Sequence, residues 1–112
     1  MEIKNAIIDS ATLSTEDHGC LSSFIGVDYG DSGHQGFGGW ALYLPKSFTH
    51  HELKSIAGHW IFRVMQIAAV GDWSKLEGKS IRVAIENDLI IGIGHITKED
   101  WFYPNRDFAK ND

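Results

Sequence analysis

Seven apolar residues, Leu53, Ile56, Ala57, Trp60, Ile61, Val64 and Ala68, recur in steps of one, three and four. That is the 3.6-residue period of an amphipathic helix, and it predicts one long helix over residues 52–69. The stripe must bury against something, and only β-like segments flank it. Thr49 and Glu52 stand at the spacing of a capping box, and Gly71 is suited to end the helix. Gly58 lies inside the stretch. A glycine there costs about 1 kcal/mol against alanine, which points to a close packing contact.

The flanking segments read as strands. Residues 2–8 form the first, with Ile3 and Ile7 on one face, and an irregular extension follows around Leu13. Residues 20–29 alternate, with Ile25, Val27 and Tyr29 on one face and Phe24 and Asp28 on the other; Gly26 suggests a bulge or a close crossing. Residues 30–39 hold five glycines in ten positions and read as a long loop or a bulged hairpin into a third strand, residues 40–44, which Pro45 ends. Beyond the helix, Trp73 and Leu76 are placed to cover one end of the core.

Residues 80–86 and 89–96 then make a hairpin about Asn87-Asp88. A strict two-residue register sets Ile85 opposite Ile90, Val83 opposite Gly92 and Ile81 opposite Gly94. The helix would lie over those glycines. The other face, with Ala84 opposite Ile91 and Arg82 opposite Ile93, is more apolar than a solvent face should be. Residues 97–104 read as a capped turn with three aromatics, and residues 105–112 as a polar tail. The order β-β-β-α-β-β implies an α+β domain over residues 1–104, a single antiparallel sheet packed against one main helix.

Composition narrows function mainly by exclusion. A chain of 112 residues with net charge −5 fits one domain and lacks the basic footprint of generic nucleic-acid binding. A face gathering Lys4, Lys54, Arg63, Lys75, Lys79, Arg82 and Lys98 would reverse that reading. The single cysteine, Cys20, rules out an intrachain disulfide and a cysteine-built zinc site, and fits a reducing cytosol. The N-terminus lacks a signal-peptide pattern, and no apolar run reaches the ~18 residues of a membrane span. A cytoplasmic protein with no membrane partner is the expectation.

No catalytic signature surrounds Cys20 or the serines, and paired carboxylates have no evident pocket. The six histidines, His18, His34, His50, His51, His59 and His95, show no metal-ligand spacing; a site joining His18 or His34 to Asp28 or Asp31 rests on sequence proximity alone. No cofactor and no metal are called for. The glycine stretch offers an anion-binding or small-ligand alternative centred on Gly33, His34, Gly36, Gly38 and Gly39. It leads into a strand and carries no lysine, unlike a nucleotide loop. Trp73, Trp101, Phe102 and Tyr103, with Ile91 and Ile93 of the apolar hairpin face, are the candidates for an interaction surface.

Three stretches occur in order: DYGDSGHQGFGGWAL, DWSKLEGKSIRV and IGHITKEDWFYP. With TLSTEDHG before them, they resemble a family of small proteins encoded by tailed phages and bacterial prophages. The resemblance spans residues 3 to 104, and it carries no established activity and no assigned site residue. It implies a phage or prophage product in a bacterial cytoplasm, where small accessory proteins often bind a host or phage protein. A non-enzymatic interaction protein is the leading expectation; either the N-terminal strands or a second chain would cover the apolar hairpin face, the latter making a homodimer.

Overall fold

The computed structural model describes residues 1–16, 22–42 and 56–108. The expected capping box at Thr49 and Glu52, and His18, Cys20, His50, His51, Leu53 and Lys54, lie outside them. Six antiparallel strands form one sheet in the order β3-β2-β1-β4-β5-β6. They are β1 (Glu2–Ser14), β2 (Ser22–Gly30), β3 (Gly33–Ala41), β4 (Ser80–Glu86), β5 (Leu89–Gly94) and β6 (Trp101–Phe102). One main helix, α1 (Ile56–Ala68), follows β3, and a single turn, α2 (Pro104–Asp107), follows β6. The α+β architecture and element order match expectation as far as β5. Short β6 and α2 are additional.

The helix stripe does bury. Trp60, Val64, Ile67 and Ala68 are buried, with Ile56, Ala57 and Ile61 half-buried against the same core. The facing strand residues are Ala6, Ile8, Ile25, Val27, Phe37, Ile81, Val83, Ile85, Ile93 and Phe102. Phe37 stacks on Trp60 at 5.3 Å between ring centroids, and Phe102 meets both rings edge-on. Gly58 is exposed. The helix stops at Ala69 rather than Gly71: Ala69 takes φ +57°, its N–H donates to Gln66 O, and Val70 N–H donates to Met65 O. That pair of bonds is a Schellman cap with alanine in the left-handed position glycine usually fills.

Bulges, which a strict two-residue period cannot reveal, decide which residues point inward. In β1, Ile8 pairs with Val27 but Ser10 pairs with Gly26, so Asp9 is the extra residue. Ile8 is fully buried, while Ile3 and Ile7 share the outer face. In β5, Ile90 pairs with Ile85 but Gly92 pairs with Ala84, so Ile91 is the extra residue. This corrects the expected register. Val83 faces Ile93, and Arg82 faces Gly94. The Asn87-Asp88 turn does hold, with both residues at positive φ.

The slip turns Gly92 and Gly94 away from the helix. They lie on the outer face beneath the rings of Tyr103 and Trp101, where a Cβ would fall 2.5 Å from ring carbons at each. The hairpin's outer face is therefore covered by the chain's own aromatics. This corrects the expected open apolar face.

The sheet curls until its two ends approach. The Gln35 amide on β3 donates to Asp88 O at 2.8 Å and to Tyr29 Oη at 2.8 Å, and its oxygen accepts from Ile90 N–H at 3.2 Å. One side chain thus clasps β3 to the tip of the β4-β5 hairpin. Arg63 ties the helix to β6, donating to Asp100 and to Trp101 O, each at 2.9 Å. Among the described residues, no helix is long and apolar enough to cross a membrane.

Candidate functional site

The glycine stretch is a strand. Gly30 and the positive-φ pair Asp31-Ser32 turn the chain, and residues 33–41 then pair with β2. The bulged-hairpin reading of this segment is the one the fold adopts, with Gly39 at φ +81° as the extra residue. An anion cradle needs successive N–H groups converging on one point. In an extended strand they alternate sides, as over Gly33, His34 and Gly36, while Gly38 and Gly39 take positive φ at the bulge. Gly33 lies under the Tyr29 ring, and Gly38 fits where a Cβ would meet Ser23 O at 2.5 Å.

His34 finds a partner the sequence does not signal. Bulged Asp9 reaches across β2, and its carboxylate meets His34 Nε2 at 2.7 Å. Gly26 makes this possible, because a Cβ there would stand 2.6 Å from Asp9 Oδ1 and 2.4 Å from Ser10 Oγ. The suspected close crossing at Gly26 is this bridge. Asp28, opposite His34 in the ladder, accepts from Gly30 N–H. The pair lies on an open outer face, with both side chains about half-exposed. Among the described residues, no group of three or more His, Cys, Asp or Glu is placed to hold a metal ion.

The aromatic candidates separate. Phe102 and Ile93 are fully buried beside the helix, which corrects their assignment to a surface: the β5 bulge turns Ile93 inward, and Phe102 pairs with it. Trp73 is half-buried against the core, with Leu76 beneath it fully buried, as expected of a core lid. Trp101 and Tyr103 stack on each other at 6.0 Å over Gly94 and Gly92. Arg82 lies over Trp101 at 4.8 Å, and Arg106 over Tyr103 at 4.3 Å.

Each end of this four-residue ladder is occupied. Arg82 donates to His95 O, Lys98 O and Glu99, and Trp101 Nε1 donates to the other Glu99 oxygen at 3.2 Å. Those bonds from Trp101 and Arg82, with the guanidinium charge, lower the Glu99 pKa below its ordinary value. The ladder is built to hold β6 in place. Arg63 packs on the helix side of β6 and Arg82 on the opposite side, so these two do not share a face.

Two clefts lie open among the described residues: one of about 470 Å³ lined by Met1, Glu2, Ile85, Glu86, Asn87 and Asp88, and a seam between β3 and β5. Beside the Gln35 clasp the curled sheet does not close, leaving a cleft of about 250 Å³ lined by Gln35–Gly38, Leu89–Ile91, Pro104 and Asn105. Both walls are strand edges. β3 ends the sheet, and among the described residues no backbone hydrogen bond leaves its outer edge. β6 covers β5 only at Ile93 and Gly94.

The lining is Phe37 at the base, half-buried Ile90 and Ile91, and Leu89, which is 65% exposed. Gly36 and Gly38 of the ligand reading and Ile91 of the interaction reading meet here. Neither reading joined them, because only the curl of the sheet brings β3 to β5. The uncharged β3 segment was the available signal.

The fold and seam define an α+β molecule with a curled antiparallel sheet and an open edge. Comparison of the chain with family models, with curated proteins and with solved structures finds no match.

Proposed function

We propose that the protein is a non-enzymatic interaction protein that holds a partner protein at the β3-β5 seam. One observation carries the reading. An edge strand with no Asp, Glu, Lys, Arg or Pro, β3, borders a cleft with an apolar lining and an exposed leucine. Natural proteins commonly guard such edges with charge or proline, because an unguarded edge invites pairing with another chain.

The resemblance to small phage and prophage proteins supports a setting in a bacterial cytoplasm, with a host or phage protein as partner. Leu89 is the residue to change, because it lines the seam and contributes little to the core. A tagged chain used as bait in bacterial host lysate retains a stoichiometric partner, and Leu89→Asp loses it while keeping the native circular dichroism spectrum. Equal capture by the two baits would remove the seam from the account.

A further inference from the structure

We infer that the partner enters the seam as an extended segment and adds to the sheet as a strand on the free edge of β3. The inference rests on the proposed interaction function and names the chemistry of its partner. The argument begins with the backbone. Among the described residues, the outward N–H and C=O groups of β3 have no strand partner, and the chemistry that satisfies such a row is another extended main chain. Gly36 fits that role. It is exposed, and a Cβ there would meet nothing within 4 Å, so no packing contact accounts for the glycine. A glycine in a strand often marks close approach by another backbone.

Geometry then selects the occupant. The edge is not open to bulk along its length, because Gln35 ties it to Asp88 and Ile90 of the facing hairpin. Beyond the clasp, Pro104 and Asn105 wall the cleft. A second copy of this folded sheet cannot bring its own β3 edge into that slot without breaking the clasp. A single unfolded segment can enter from the Gly36–Gly38 side. Its side chains would alternate between the apolar lining of Phe37, Leu89, Ile90 and Ile91 and the solvent. The segment sought is therefore short, extended and free of charge at alternate positions.

The test uses the intact protein and a displayed library of random nonapeptides as probe. Peptides retained by the wild type and lost on Leu89→Asp are resynthesised with single backbone N-methyl groups at each position. Strand addition predicts a period of two: N-methylation weakens binding about tenfold or more at every second residue and leaves the others within about twofold. It also predicts slowed amide exchange within residues 34–38 on loading.

Seam-dependent peptides indifferent to N-methylation would overturn strand addition while leaving the interaction reading standing. A library yielding no Leu89-dependent binder would likewise overturn it, with the lysate capture still deciding the broader reading. Self-association of the free protein in sedimentation, lost in Leu89→Asp, would replace the segment by a second copy.

Discussion

Single residues in this chain work mainly through backbone conformation and hydrogen bonding. Ala69 closes α1 at φ +57°, a region where an L side chain is penalised. Ala69→Gly therefore stabilises the protein by about 1 kcal/mol, read as a higher urea midpoint at unchanged m-value. A neutral or negative change would show that the cap carries no strain. Glu99 supplies a prediction in pH. Its folded pKa lies below the ordinary 4.5, held down by Trp101 and Arg82. Its contribution is then fully present above pH 4.5 and lost as pH falls through the depressed value. Glu99→Gln is less stable than wild type at neutral pH, and the two converge on acidification. Denaturation midpoints at pH 7 and pH 3 check this, and a gap that stays constant would contradict it.

Elements could be read from sequence wherever one local rule governs them. The stripe from Ile56 to Ala68 fixed the helix face because burial on one side is written at 3.6-residue spacing. Asn87-Asp88 marked the hairpin because both residues tolerate positive φ. The extra residues Asp9, Gly39 and Ile91 were not visible, since a bulge shifts register by one without leaving a local pattern. For the same reason Ile93 was assigned to the wrong face.

Residues 33–39 read as a loop or bulged hairpin because glycine disfavours strands locally; pairing with β2 overrides that preference. The Gln35 clasp belongs to this scale too. Gln35→Leu leaves Ile90 N–H and Asp88 O without their partner, and Tyr29 Oη without its donor. The expected cost is about 1–3 kcal/mol, with faster exchange of the Ile90 amide. Unchanged stability and exchange would mean that the curl does not depend on the clasp.

At the scale of the whole molecule, the curled sheet does two things at once. It wraps six strands around one helix, and it brings two strand edges within a side chain's reach without joining them. The first explains the shared core of Trp60, Phe37 and Phe102. The second leaves the seam, which no single segment of the sequence could announce. The outer face competes as an interaction surface through exposed Ile3 and Ile7, each about half-accessible, and through the Trp101-Tyr103 stack. The rings of that stack are committed to Gly92, Gly94, Arg82 and Arg106.

Hydrogen exchange decides between the two surfaces most directly, comparing the free protein with the protein loaded with its captured partner. The account predicts slowed exchange in residues 33–39 and 89–91, with 101–103 unchanged. Protection confined to residues 2–7 and 101–103 would contradict it and move the binding surface to the outer face of the sheet.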